Sequence, residues 1–260
     1  MLLDEILAAK QQEVKVAKSR LRLEELKTRL RGHRAARSVR KALAKSGTLS
    51  LIAELKRKSP SAGMLRERFD PVSLAQQLQE AGASALSVLT DETFFGGSLE
   101  FLRDVQQFTE LPTLRKDFVI DPYQVYEAAY YQADAVLLIV QILSEDQLIQ
   151  CLEAAEQVGM DALVEVHTTD DLDLALGIGA NLIGINHRNL RTFTLDPNVT
   201  AQLVPKIPAG RFIVAESGVQ TREDIQRLKA LGVHAVLIGE ALMTAPDVVA
   251  KVRELFDGIW

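Results

Sequence analysis

Charged side chains suited to acid–base chemistry follow several apolar runs of the sequence, at the point where each run ends. Glu54 and Lys56 end one run, Lys116 ends a second, and Glu165 ends a third. Carboxylates and ammonium groups that are partly buried side by side shift one another's pKa values, as general acid–base catalysis requires. The alternative is that these four residues form two ion pairs that only close one end of the fold, because buried charges are costly unless they are paired.

Small residues at the ends of two later runs are typical of a phosphate site. Ser217-Gly218 and Gly239 each come after an apolar run and before a helical pattern. Small residues let backbone N–H groups approach an anion, and a helix N-terminus adds a favourable dipole. Ordinary turns between strands and helices also contain such glycines, so the place of these turns in the fold decides between the two interpretations. Glu240 would face a phosphate through its backbone N–H only.

The elements that must position these residues alternate between apolar runs and amphipathic segments. The runs recur at a period of about 25 residues. Eight runs are present, at residues 49–55, 82–89, 112–115, 132–139, 162–166, 179–186, 212–215 and 232–239. Helical patterns separate them, for example Val72–Glu80, Leu99–Phe108, Tyr123–Tyr131, Glu145–Val158 and Glu223–Leu231, with the weakest at Pro197–Leu203. Eight such units predict a (β/α)8 TIM barrel. An open doubly wound sheet is the alternative, but no run leads into the G-x-G-x-x-G turn of a dinucleotide site.

A barrel would bring the ends of all eight runs to one mouth. The active sites of such barrels lie where the strands enter their βα loops, and the loops after strands seven and eight commonly bind phosphate. Phe94, Phe95 and Phe118 lie in loops at the same end, which favours an aromatic substrate over plain core packing. The ion-pair alternative does not explain why the charges cluster at only one end of the strands.

The composition is that of an ordinary globular chain. Of 260 residues, 47 % are apolar and 25 % charged, and the net charge is −5, values that exclude disorder for the bulk of the chain. The longest apolar stretch, Ala135 to Val140, is far shorter than the roughly 20 residues of a membrane helix. No targeting pattern opens the chain, so we expect a cytoplasmic protein. The single cysteine, Cys151, excludes an internal disulfide and is expected to be an inert core residue.

The first 45 residues form a basic arm. They hold 13 Lys and Arg against 5 Asp and Glu, whereas the remaining 215 residues carry a net charge of −13. Apolar residues recur in the arm at helical spacing, at Leu3, Ile6, Leu7, Val14, Ala17 and Leu21. This stripe predicts a helix docked on the acidic body rather than a tail that binds nucleic acid. We expect residues 1–45 to be a helical extension and residues 46–260 to be the catalytic barrel. The extension either lies near the mouth, where its charge would attract an anionic substrate, or caps the opposite end.

Seven segments together resemble one enzyme family. They are Ile52-Ala-Glu-Leu-Lys-Arg-Lys-Ser-Pro-Ser-Ala-Gly63, Leu89-Thr-Asp-Glu-Thr-Phe-Phe-Gly-Gly-Ser98, Leu114-Arg-Lys-Asp-Phe118, Leu163-Val-Glu-Val-His167, Ile183-Gly-Ile-Asn-His-Arg-Asn-Leu190, Ala215-Glu-Ser-Gly218 and Leu237-Ile-Gly-Glu-Ala-Leu-Met243. In this order they resemble the signatures of indole-3-glycerol phosphate synthases, and the basic N-terminal extension resembles theirs too. One departure is His187, since the family pattern there usually reads Asn-Asn-Arg. A neutral imidazole still donates one hydrogen bond, as an amide does.

The resemblance implies a reaction without a metal or a cofactor. The family closes the indole ring of 1-(2-carboxyphenylamino)-1-deoxyribulose 5-phosphate, with loss of CO2 and water, in tryptophan biosynthesis. It implies Lys116 as the acid of ring closure and Lys56 as a second cation, which with Arg188 could hold the substrate carboxylate. Glu54 and Glu165 would serve as bases, and either lysine could supply the acid of dehydration. The resemblance also implies binding residues: Phe95, Phe118 and Leu137 for the aromatic ring, Asn186, Glu216 and Ser59 for the hydroxyls and carboxylate, and Ser217, Gly218, Gly239 and Glu240 for the phosphate.

Two other functions remain open from the sequence. Phosphoribosylanthranilate isomerase would share the phosphate turns but uses different acid–base residues. A non-catalytic barrel would have no need for every matched charge. For the synthase we expect a monomer whose partner is a small anionic molecule, the anilino-sugar phosphate, and not nucleic acid or a membrane.

Overall fold

Eight parallel β-strands form a closed barrel at the centre of the molecule. The computed structural model describes residues 2–44 and 48–260. The strands are β1 (Ser50–Leu55), β2 (Ala85–Leu89), β3 (Thr113–Lys116), β4 (Ala135–Ile139), β5 (Asp161–Val166), β6 (Leu182–Asn186), β7 (Phe212–Glu216) and β8 (Ala235–Ile238). Each strand pairs with the next one along the chain, and β8 pairs with β1. The predicted (β/α)8 TIM barrel is therefore confirmed, and each of the eight predicted runs overlaps one strand.

Helices surround the barrel and precede it. They are α1 (Leu2–Arg20), α2 (Leu23–Arg29), α3 (Val39–Leu43), α4 (Pro71–Glu80), α5 (Glu92–Phe95), α6 (Glu100–Phe108), α7 (Tyr123–Tyr130), α8 (Glu145–Gln157), α9 (Thr169–Gly177), α10 (Val199–Leu203), α11 (Arg222–Ala230), α12 (Glu240–Met243) and α13 (Val248–Phe256). Side-chain caps begin several of them: Asp70 precedes Pro71 in α4, and Ser144 and Thr221 form capping boxes on α8 and α11. No described helix has the length and apolar character to cross a membrane.

The region predicted as the weakest helix is indeed short. There α10 spans five residues, and a 3-10 turn, Val204–Lys206, follows it. The periodicity missed the shortest elements altogether. These are α5, α12 and a hairpin between Lys58–Ser59 and Gly63–Met64 in the loop after β1. Segments of two to four residues are too short to show a helical or strand period.

Strand alternation explains why the charged residues lie inside the barrel. Side chains two residues apart on a strand point to the same side. Ile52, Leu114, Leu163 and Val214 belong to the cluster that fills the barrel interior. Two residues further along each strand, at its carboxyl end, stand Glu54, Lys116, Glu165 and Glu216. The interior is thus apolar below and charged at the mouth.

Helix α1 crosses the mouth of the barrel. Leu3 and Ile6 are buried in the same cluster as Phe118, and Leu7 packs against it. Further along α1, Lys18 pairs with Asp121 in the loop after β3, at 2.6 Å between Lys18 Nζ and Asp121 Oδ2. The apolar residues of α1 thus pack on the barrel, and α1 lies at the mouth.

The rest of the arm closes the opposite end of the barrel. Val39 and Leu43 of α3 are buried in the interior cluster, and Ser50 Oγ at the start of β1 donates to the Leu43 carbonyl. Arg34 pairs with Asp134, just before β4. The arm therefore reaches both ends of the barrel. The predicted division between residues 45 and 46 falls at residues 45–47, which lie outside the described residues, so the division stays a prediction.

Candidate active site

One cavity at the mouth of the barrel holds the predicted site. Its walls come from the carboxyl ends of the strands and from the loops that follow them. Every catalytic and binding residue predicted from the sequence lines this cavity. Of the three loop phenylalanines, however, Phe94 does not line it and packs instead against the cluster that contains α1. The structure therefore brings the predicted residues together in one cavity. The chemical role of each residue is a separate question.

Two lysines and three glutamates make up the charged centre of the cavity. Lys56 Nζ is 2.7 Å from Glu54 Oε1. Lys116 Nζ lies between two carboxylates, 3.4 Å from Glu165 Oε2 and 3.6 Å from Glu216 Oε2. The three carboxylates are almost fully buried, whereas both lysines are partly open to the cavity. A substrate entering the cavity would therefore meet the ammonium groups.

Neighbouring polar groups hold two of the glutamates in place. Asn186 Nδ2 donates to Glu165 Oε1 at 3.0 Å. Ser87 Oγ donates to Glu54 Oε2 at 3.4 Å. Within the described residues, neither carboxyl oxygen of Glu216 accepts a hydrogen bond. Glu216 thus has free hydrogen-bonding capacity in the cavity.

The side chains of the charged centre differ in protonation state because they shift one another's pKa values. Burial lowers the pKa of Lys116, but the carboxylates of Glu165, Glu216 and Glu54 outweigh it, so this pKa lies above its ordinary value. Burial raises the pKa of Glu54, but Lys56 and Lys116 hold it below its ordinary value. Burial and the other two glutamates raise the pKa of Glu216 to about 8, against the opposing effect of Lys116. At neutral pH the centre therefore contains a protonated Lys116, an ionised carboxylate at Glu54, and a Glu216 that largely keeps its proton.

Two glycines make room for the glutamates. A Cβ on Gly239, just after β8, would collide with the Glu54 carboxylate, and one on Gly184, in β6, would collide with Glu216. Sequence analysis assigned Gly239 to backbone contact with phosphate only. It missed Gly184, because the space that a side chain needs across a barrel is a property of the closed structure.

Lys10 is a functional candidate that sequence analysis also missed. This α1 residue is almost fully buried, and its Nζ is 2.9 Å from Asp117 Oδ1 and 3.0 Å from Asp91 Oδ2. Burial lowers its pKa, but the two aspartates outweigh burial and raise it. A signal was present, because Lys10 stands four residues from both Ile6 and Val14 and so interrupts the apolar stripe at a buried position.

The two aspartates bound by Lys10 support the aromatic wall of the cavity. Asp91 Oδ1 accepts the backbone N–H groups of Phe94 and Phe95 and so caps α5. Asp117 Oδ1 accepts the N–H of Phe118 at 2.8 Å. The rings of Phe95 and Phe118 lie 6.0 Å apart between centroids, and Leu137 lines the cavity with them. An aromatic ring fits against this wall.

The far side of the cavity has the backbone geometry of an anion site. Ser217 and Gly218 after β7 both adopt left-handed conformations, with φ of 67° and 74°. Gly239 precedes α12, whose first residue is the half-buried Glu240. Turns of this kind let backbone N–H groups approach an anion such as phosphate.

The remaining predicted residues form the rim. Arg188 lines the cavity and its Nη1 donates to the Phe193 carbonyl at 3.1 Å. Ser59 lies in the hairpin after β1, where its hydroxyl accepts the N–H of Ala62. His187 is buried and points away from the cavity. Its Nδ1 lies 3.0 Å from the Ser217 carbonyl and its Nε2 lies 2.6 Å from Thr200 Oγ1.

The lone cysteine takes no part in this site. Cys151 is fully buried in α8, and burial raises the pKa of its thiol to about 12. A protonated, inaccessible thiol is unreactive, which agrees with the prediction of an inert core residue.

Fold and site together define a (β/α)8-barrel enzyme whose cavity combines buried charged side chains, an aromatic wall and glycine-containing turns at one mouth. The sequence model of one family, Indole-3-glycerol phosphate synthase, matches residues 3–255. The chain therefore belongs to the indole-3-glycerol phosphate synthase family, the carboxy-lyases of tryptophan biosynthesis.

Relatives cover nearly the whole chain. An indole-3-glycerol phosphate synthase of Campylobacter hominis is 47 % identical over 258 residues, which is 98 % of this chain and 99 % of the relative. One from Acetivibrio thermocellus is 45 % identical over 256 residues, 98 % of each chain. Among solved structures, a 3-hexulose-6-phosphate synthase superposes with a TM-score of 0.66 over 82 % of this chain and all of its own, at 16 % identity. That last likeness concerns the fold alone.

Proposed function

We propose that this chain converts 1-(2-carboxyphenylamino)-1-deoxyribulose 5-phosphate into indole-3-glycerol phosphate, CO2 and water, with Lys116 as the acid of ring closure. The observation that carries this proposal is the single cavity in which an aromatic wall, a charged centre and an anion-binding turn follow one another. The substrate has the same three parts in the same order: a benzoate ring, a ketose chain and a phosphate.

Binding would use the two ends of the cavity first. The benzoate ring packs against Phe95, Phe118 and Leu137, and its carboxylate lies near Lys56 and Arg188. The phosphate takes the backbone N–H groups of the turns at Ser217-Gly218 and Gly239-Glu240. Asn186 and Ser59 orient the chain between them. Holding both ends brings the ring carbon close to the ketone carbon, and such positioning removes much of the entropic barrier.

Ring closure needs a proton on the ketone oxygen. The aromatic carbon that carries the carboxylate attacks the C2 carbonyl carbon, a C–C bond forms, and the carbonyl oxygen becomes a hydroxyl. Lys116 is the acid, because its Nζ opens on the cavity while the neighbouring Glu165 keeps it protonated. General acid catalysis of this kind accelerates a step about 10²–10⁴-fold.

Two eliminations then complete the reaction. The C–C bond to the carboxylate breaks, CO2 leaves, and its electron pair restores the ring electrons. In the dehydration a base takes a proton from C1 of the former ribulose chain, an acid protonates the hydroxyl that leaves C2, and the C1–C2 double bond of the indole forms. Glu165 and Glu54 serve as bases, and Lys56 or Lys116 serves as the acid. Atoms and electrons balance with no oxidant or reductant, so the proposal assigns no cofactor and no metal.

Glu216 contributes a neutral carboxyl group that forms hydrogen bonds, rather than a group that transfers a proton. Its raised pKa leaves it largely neutral at neutral pH, and it has no hydrogen-bond partner among the described residues. A neutral carboxyl both donates and accepts a hydrogen bond. We assign it to a hydroxyl of the substrate chain.

The experiment supplies the anilino-ribulose phosphate to purified protein and follows the fluorescence of the indole product. We expect turnover of this substrate without added metal or cofactor, and no turnover of phosphoribosylanthranilate. Glu165→Gln should lower kcat by at least about tenfold, as loss of a general base does. Glu153→Gln changes an exposed carboxylate of α8 in the same way and should leave kcat unchanged. Absence of indole product, or conversion of phosphoribosylanthranilate instead, would contradict the proposal.

We further propose a cytoplasmic monomer that binds neither nucleic acid nor membranes. What supports this is that charges of the basic arm are used inside the chain: Lys10 and Lys18 pair with the barrel at its mouth, and Arg34 pairs with Asp134 at the opposite end. Light scattering at working concentration should give the mass of one chain, 28.7 kDa. A dimer mass, or a mobility shift of duplex DNA at physiological salt, would refute this part.

A further inference from the structure

His187 lies directly behind the anion-binding turn. It is the first residue after β6, its ring is 2 % exposed, and it does not line the cavity. Both ring nitrogens have partners on other elements, the Ser217 carbonyl after β7 and the Thr200 hydroxyl on α10. A ring with both nitrogens engaged has a fixed orientation.

The partners determine where the ring proton sits. A carbonyl oxygen only accepts, so Nδ1 carries the hydrogen and donates it to Ser217. Nε2 is then the acceptor, and the Thr200 hydroxyl donates to it. Burial lowers the pKa of His187, against a weaker opposing effect of the Ser217 contact, so the ring stays neutral at physiological pH. The imidazole is therefore an Nδ1–H donor aimed at one backbone carbonyl.

That carbonyl controls the direction of the next N–H. The carbonyl of Ser217 and the N–H of Gly218 belong to one planar peptide, which is trans, so the two groups point in opposite directions. His187 holds the carbonyl on the side away from the cavity. The N–H of Gly218 is consequently turned towards the cavity, which Gly218 lines.

The peptide needs such a restraint because the turn is strained. Ser217 has a φ of 67°, a left-handed conformation that is unfavourable for a residue other than glycine. Gly218 follows with a φ of 74°. Without an external partner the peptide between them is free to rotate to a more relaxed conformation, which would turn the N–H away.

We propose that His187 is a positioning residue that orients the Ser217–Gly218 peptide so that the Gly218 N–H binds the phosphate of the substrate. This inference rests on the proposed function for its ligand. It predicts an effect on binding of the phosphate end and little effect on proton transfer from Lys116, which contacts Glu165 and Glu216.

Two substitutions separate the two nitrogens of the ring. Asn carries an amide nitrogen at the same number of bonds from Cα as Nδ1, and Gln carries one at the reach of Nε2. His187→Asn therefore keeps a donor for Ser217, and KM and the inhibition constant of inorganic phosphate should stay within about threefold of the parent values. His187→Gln loses that donor, and both constants should rise about tenfold, as expected for the loss of one hydrogen bond. In both variants kcat should change by less than about threefold.

Thr200→Val is the matched control. It removes the partner of Nε2 and leaves the Nδ1 contact, so the melting temperature should fall while KM and phosphate inhibition stay close to the parent values. Anthranilate, which has no phosphate, should inhibit the parent and His187→Gln equally. Equal phosphate inhibition of the parent and His187→Gln, or a His187→Asn variant as defective as His187→Gln, would overturn the proposal.

Two measurements keep the test independent of variant folding and of the proposed reaction. In parent protein with ¹⁵N-labelled histidine, the His187 ring should show the Nδ1–H tautomer, and the Nε2–H tautomer would overturn the inference. Direct calorimetric binding of inorganic phosphate to the parent and to His187→Gln needs no turnover. If the parent fails to make indole product but phosphate binding still depends on His187, the proposed function fails and the positioning role stands.

Discussion

Replacing Lys10 by Met should destabilise the enzyme more than any other single change in the arm. Lys10 is 2 % exposed and lies between Asp91 and Asp117 at 3.0 and 2.9 Å. Met keeps the length and the apolar stem of the side chain but removes the charge. Two buried carboxylates are then left facing an apolar group, and uncompensated buried charge is among the largest costs in folding.

The contacts of the two aspartates set the size of the effect. Asp117 Oδ2 keeps Arg115 at 3.0 Å and the Thr90 hydroxyl at 2.6 Å. Asp91 Oδ2 is left with no hydrogen-bond partner in the described part of the chain. Removal of one partner of a buried pair costs about 3–5 kcal/mol, and the surviving contacts of Asp117 place this case near 3 kcal/mol. For a chain of this size that is a drop of about 6–12 °C in Tm.

The assay is thermal unfolding followed by circular dichroism, with Lys18→Met as the matched control. Lys18 stands on the same helix and also pairs with an aspartate of the barrel, but both partners are exposed, and such a pair contributes about 0–1 kcal/mol. The same variants should differ in KM, because Asp91 caps the helix that carries Phe95. A Tm of Lys10→Met equal to that of Lys18→Met would refute the reasoning.

The pH dependence of Tm also reports on the charge of Lys10. Burial opposes ionisation of Asp117, yet Arg115 and Lys10 hold its pKa well below its ordinary range. A carboxyl whose folded pKa is lowered stabilises the fold above its unfolded pKa, and this contribution is lost as pH falls through the folded pKa. In Lys10→Met one of the two cations is gone and the lowering is smaller. Asp117 stays ionised in both folded proteins down to about pH 4, so the gap in Tm between parent and variant should stay constant from about pH 7 to about 4 and narrow only at lower pH.

Three further predictions follow from the site. Deleting residues 1–30 should raise KM and weaken its dependence on salt while the barrel still folds, because α1 lies at the mouth. If KM and its salt dependence are unchanged and only Tm falls, the arm only stabilises the fold. Gly239→Val should lower both kcat and the affinity for inorganic phosphate, since its Cβ would displace Glu54, and unchanged constants would place the phosphate elsewhere. The parent should lose stability as pH rises from about 4.5 to about 8, because the folded chain keeps a proton on Glu216 that the unfolded chain releases, and Glu216→Gln should flatten this slope of Tm against pH.

The sequence predicted the barrel and most of the residues that line the cavity, because both follow from the regular spacing of the apolar runs. A run that ends in Glu54 or Lys116 marks a strand and places its last side chain at the mouth, since all eight carboxyl ends of a barrel meet there. The phosphate turn was predictable for the same reason. The residues at Ser217 and Gly239 follow the two strands whose loops commonly bind phosphate in this fold.

Contacts between distant segments were not predictable in this way. Lys10 looked like one of many basic residues in the arm, because its two aspartates lie on other elements far along the chain. Gly184 is needed for the volume of Glu216 on the neighbouring strand. The role of His187 depends on a carbonyl after another strand. Each is a property of the closed barrel rather than of a local pattern.

The central claim, that Lys116 is the acid of ring closure, is tested most directly by the turnover of Lys116→Ala. We expect kcat to fall about 10²–10⁴-fold, while the calorimetric affinity for inorganic phosphate stays unchanged. Lys251→Ala removes a lysine of α13 that pairs only with Glu254 among the described contacts, and it should turn over like the parent. A kcat of Lys116→Ala within about threefold of the parent, in a variant that is folded and binds phosphate, would contradict the account.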